Sequence, residues 1–126
     1  MTIKERCNQE CDNAVQSLKY KYETYEIIIS EIDKVFPIQV DQFQPRIYND
    51  LCMFHTCDDE YRFVVSYKEG GDGYEMTISK NKKLIAFVCF SDIGHVSCVS
   101  EDSRIYDIAD SMVKKMKDLY NRTYPE

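Results

Sequence analysis

Six cysteines and two histidines are the residues of this 126-residue chain best suited to hold a metal or to pair a nucleophile with a base. Three of them crowd together in Cys52-Met53-Phe54-His55-Thr56-Cys57, which makes Cys52, His55 and Cys57 the core of any metal site. A structural zinc site takes two short-spaced ligand pairs on turns. His95 and Cys98 form another close pair, but neither grouping has the paired knuckle spacing of such a site. Cys7 and Cys11 continue an apolar helical stripe, and Cys89 lies in an apolar run, where Cys acts as a small hydrophobe. No metal and no cofactor are therefore expected.

Catalysis by cysteine needs a base beside the thiol and a lowered thiol pKa. His55 stands two residues from Cys57 and His95 three from Cys98, and neither pair sits in a recognisable nucleophile motif. Gly70-Gly71-Asp72-Gly73 lacks the Gly-Lys-Ser/Thr ending of a phosphate loop and leads into a strand pattern, so it reads as a hairpin turn. Asp58-Asp59-Glu60 is a run of three acids suited to a basic partner or to plain solvation.

The elements around these residues define an α+β chain. Thr2 and Glu5 form a capping box. Behind them Ile3, Cys7, Cys11, Ala14, Val15, Leu18, Tyr22, Tyr25, Ile29, Ile32 and Phe36 recur at steps of three and four, and Pro37 ends the pattern. One helix over residues 1–36 is predicted, roughly 50 Å long at ~1.5 Å per residue. That is more than a domain of this size needs. Either the helix breaks near Thr24, or its exposed half, including Tyr22 and Ile29, packs on another chain.

Residues 37–60 read as an irregular acidic segment with one short edge strand or helical turn. From Tyr61 to Val99 the alternation of apolar and polar residues predicts an antiparallel meander of three to four strands, with room for a fifth. Leu84 to Phe90 is apolar on both faces, as expected of a central, fully buried strand. A helix over 102–122, capped by Asp102 or Ser103, buries Ile105, Ile108, Ala109, Met112, Val113, Met116, Leu119 and Tyr120 on one face of the sheet. The length suits one domain over 1–126.

Composition narrows the function class. The chain is 44% hydrophobic and 30% charged, enough to bury a core and stay soluble. Net charge is −6, and residues 37–60 carry five acids against one base. Nucleic-acid binding needs a basic face, so direct contact with nucleic acid is not expected. The acids are also too sparse to imitate a duplex, which carries one charge per ~1.7 Å of axis. The N-terminus runs into charged residues, and no window approaches the ~20 apolar residues of a membrane span, so a cytoplasmic location with reduced thiols is expected.

Ten tyrosines favour a binding surface. The expected function is therefore a non-enzymatic protein-binding domain that masks or inhibits a partner, of inhibitor, immunity or phage anti-defence type. Asp50, Asp58, Asp59 and Glu60, with Tyr22 and Ile29, are its expected contacts. A nucleic-acid-handling enzyme is a fitting basic partner. Two alternatives stand beside it. One is an enzyme or small-ligand binder built from His55, Cys57 and His95 with tyrosine walls. The other is a dimeric accessory domain joined through the first helix.

Overall fold

The computed structural model describes residues 2–5, 19–39, 44–46, 51–68 and 73–124. Its centre is one antiparallel sheet whose six strands lie side by side in chain order: β1 (Gln44–Arg46), β2 (Leu51–His55), β3 (Tyr61–Lys68), β4 (Gly73–Lys80), β5 (Lys83–Phe90) and β6 (Val96–Ser100). Two helices, α1 (Lys19–Asp33) and α2 (Arg104–Thr123), pack on each other and share one core with the inward side chains of the strands. The α+β class and the antiparallel sheet are as expected. The strand count is higher, because residues 37–60 contain β1, β2 and a bridge from Ile38 to Thr56.

The single long N-terminal helix is corrected. Thr2 Oγ1 does accept the Glu5 amide at 3.1 Å, so the first cap forms as expected. Residues 3–5 are helical and Ile3 is buried in the core. Among the described residues the first full helix, α1, begins only at Lys19. The intervening residues 6–18 lie outside the described set.

Within α1 the chain runs unbroken through Thr24, whose hydroxyl satisfies itself on the Tyr20 carbonyl at 2.9 Å. The helix stops at Asp33, whose carboxylate accepts the Ile38 amide at 2.8 Å across Pro37. The long helix of the fold is α2, with 20 residues. Its predicted apolar stripe is buried from Ile105 to Leu119. Ser103 makes no side-chain cap. Asp102 does that work instead, accepting the Arg104 amide at 3.0 Å.

Strands β3 and β4 alternate cleanly. Tyr61, Phe63 and Val65, and Tyr74, Met76 and Ile78, all point into the core. The β4–β5 turn takes positive φ at Asn81 and Lys82 (50° and 71°), the two-residue hairpin whose twist matches the strands. Strand β5 is not the central strand. It lies next to the edge, with Ala86, Val88 and Phe90 buried but Leu84 and Phe87 exposed. Its second apolar face meets no described helix, and that difference defines the candidate site.

Candidate functional site: the open face of the sheet

Alternate side chains of each strand point away from the helices. The registers align one of these rows straight across the sheet. Met53 stands opposite Val64, Val64 opposite Thr77, Thr77 opposite Phe87, and Phe87 opposite Val99. At ~4.8 Å between strands the row spans about 19 Å. Met53, Phe87 and Val99 are 57%, 39% and 72% exposed, well beyond what the inward residues of the same strands show.

A β-bulge enlarges the row. Pairing steps from Ile78–Ala86 to Ser79–Leu84, leaving Ile85 as the extra residue. The extra residue reverses the alternation. Leu84 thereby joins Phe87 on the outer face, 58% exposed, while Ile85 packs against the core. The neighbouring rows are mostly polar: Ser66, Glu75 and Ser97 with Leu51 and Cys89 on one side, His55, Arg62 and Ser79 with Leu84 on the other. An apolar centre with a polar border is the anatomy of a protein-binding surface. At the β6 edge, the Tyr106 hydroxyl lies 3.1 Å from the Ser100 amide and accepts its hydrogen, covering one end of the strand.

The expected site residues are scattered around this face. Cys52 points into the core, His55 stands two strand positions past Met53 on the outer face, and Cys57 is exposed in the turn beyond. The three do not converge. Among the described residues, no group of three His, Cys, Asp or Glu side chains is placed to hold a metal ion. His55 Nδ1 lies 2.9 Å from the Thr56 carbonyl, which can only accept, so that nitrogen carries the proton. His95 lies at the opposite end of the sheet, in the β5–β6 turn, so it cannot share a site with His55 and Cys57. Burial, and then the Asp110 carboxylate, push the Cys98 thiol up, opposite to the shift that would activate it.

The acidic run is largely engaged within the chain. Asp58 accepts the Thr56 hydroxyl at 2.5 Å and the Glu60 amide at 3.0 Å, and those bonds, the hydroxyl first, hold its carboxyl below the usual range. Asp59 takes a positive φ of 59° and grips Arg62 through both oxygens at 3.1 Å. Glu60 pairs with Lys80 at 3.5 Å. Asp50 lies outside the described residues. Tyr22 and Ile29, expected on an exposed half of the first helix, are 6% and 0% exposed and belong to the core.

Comparison with protein-family models, with curated proteins and with solved structures returns no match for this chain. No described helix is long and apolar enough to cross a membrane. Sequence reasoning missed Met53, Val64, Phe87 and Val99 as a group. The available signal was the run from Leu84 to Phe90, whose apolar character on both faces demands a second cover that neither helix supplies.

Proposed function

We propose that this chain is a non-enzymatic protein-binding domain that masks the surface of a partner protein, with the open face of the sheet as its contact. One observation carries the reading: exposed Met53, Phe87 and Val99 line up in cross-strand register with half-buried Val64 and Thr77, and exposed Leu84 widens the row. A face of this kind loses its unfavourable hydration only when something covers it. A net charge of −6 suits a basic partner, such as a nucleic-acid-handling enzyme, and an inhibitor, immunity or anti-defence role follows from masking such an enzyme.

The test is capture of the partner by the tagged chain from nuclease-treated host lysate, then titration of purified variants. Phe87→Asp combined with Val99→Asp is expected to weaken the complex by about a hundredfold or more, as loss of central anchors does. Both side chains are exposed, so thermal unfolding should move by only a few degrees. Asp58→Lys with Asp59→Lys should instead slow association, in the manner that added salt does. Unchanged affinity in the Phe87/Val99 variant would remove the sheet face from the account.

A further inference from the structure

At the end of the sheet that carries the β5–β6 turn, a cleft of about 570 Å³ opens between the strands and the ends of both helices. Its walls are tyrosines. Tyr67 and Tyr74 come from β3 and β4, with ring centroids 5.1 Å apart. Tyr20 comes from α1, and Tyr120 and Tyr124 from the C-terminal end of α2. Tyr124 lies 5.5 Å from Tyr20, edge to face, and 5.3 Å from Tyr120.

Among the described residues, one carboxylate reaches this space. Asp92, from the β5–β6 turn, accepts the Tyr20 hydroxyl through Oδ2 at 2.7 Å. Burial, reinforced by that hydrogen bond, keeps the Tyr20 hydroxyl protonated far above its ordinary range, so it stays a donor to Asp92.

Aromatic faces carry negative potential and attract cations, most of all weakly hydrated ones. The cleft already demonstrates this on itself, since the Lys21 ammonium sits over the Tyr67 ring, 4.8 Å from its centroid. We propose that the tyrosine cleft is a binding site for a weakly hydrated organic cation, an alkylated ammonium or a guanidinium, and that Lys21 is its built-in competitor. The cation lies against the ring faces with Asp92 as counter-charge. Its source is either a free small molecule or a side chain of a protein. The site is separate from the open sheet face and does not depend on it.

The experiment is titration of the full chain with choline, followed by tyrosine fluorescence, which no tryptophan obscures. The control is choline's neutral carbon isostere, in which a tert-butyl group replaces trimethylammonium. Choline is expected to bind about tenfold more tightly than the isostere. Asp92→Asn keeps an acceptor for Tyr20, and Tyr124→Leu alters a side chain that is 56% exposed, so both should fold. Each is expected to weaken choline severalfold, whereas Lys21→Met should strengthen it.

Parallel titrations with an arginine peptide and a trimethyllysine peptide separate the two sources, because tighter binding of a peptide than of choline assigns the cation to a protein. Phe87→Asp should leave choline binding unchanged, which keeps this test independent of the sheet face. Equal binding of choline and its isostere, or no binding of any cationic probe to wild type and Lys21→Met alike, would overturn the proposal.

Discussion

Gly73→Ala is expected to cost roughly 3–5 kcal/mol of folding stability, from backbone strain and overpacking together. Gly73 opens β4 with φ at +131°, a region that side-chain-bearing residues rarely enter. A Cβ there would stand 2.4 Å from the Phe90 carbonyl oxygen and 3.0 Å from Ser91 Cα. Both obstacles are backbone atoms of the paired strand and its turn, so neither can rotate away. Gly94→Ala is the matched comparison. Its φ is +106°, but the nearest atom to its Cβ is Lys117 Cδ at 3.4 Å, the flexible part of an exposed side chain. Only the conformational part remains there, about 1–2 kcal/mol. Denaturant unfolding of both variants measures the difference. Equal losses would mean that β4 and β5 do not approach as closely as described.

Glu31 is the second large effect, and it depends on pH. Its side chain is 4% exposed between the two helices. Burial alone would raise its pKa, but hydrogen bonds from Lys34, Ser111 and Lys115 outweigh burial and bring the carboxyl down from 4.5 to about 2. Lys34 Nζ lies 2.5 Å and Lys115 Nζ 3.0 Å from Oε2, while the Ser111 hydroxyl donates to Oε1. A carboxyl with a lower pKa in the folded chain binds its proton more readily when unfolded. The ion cluster therefore contributes fully above pH ~4.5, and its contribution falls away as pH drops toward about 2.

The total is on the order of 3 kcal/mol, and more than half is gone by pH ~3. Glu31→Gln should be less stable than wild type by about 2–3 kcal/mol at neutral pH. The gap should narrow steadily in acid. Unfolding curves for both proteins at neutral pH and near pH 3 test this, and a gap independent of pH would show that shape, not charge, holds Glu31 in place.

The elements most legible in the residues are those with one buried face and one wet one. Helix α2 shows Ile105 to Leu119 at helical spacing with charge between them, and β3 and β4 show strict alternation. Where both faces are apolar the pattern is ambiguous. Leu84 to Phe90 suits a strand covered on both sides and equally a strand with one face open, and the bulge at Ile85 adds a reversal that no periodicity reveals. The first helix fails for a related reason. Steps of three and four record which side is buried but not where one helix stops and the next begins, and Ile3 and the α1 stripe share one core without being shown to share one helix.

The tyrosine cleft was visible only as a surplus of tyrosine. Residues 20, 67, 74, 120 and 124 meet through two helix ends and a hairpin, and nothing local to any of them signals the others. The acidic run was legible as charge but not as partnership, because Lys80 reaches Glu60 only once β3 and β4 are paired, and Arg62 meets Asp59 only around the turn that the positive φ of Asp59 makes.

The strand order also governs how the chain is built. Because each strand pairs only with its neighbours in the chain, every ladder of the sheet closes a short loop, and the hairpins can assemble one after another as they are synthesised. The contact between α1 and α2 is different, since it waits for the last of the described elements. Until α2 arrives, the inner apolar face of the sheet is only partly covered, and the nascent chain is most exposed to misassociation in that interval.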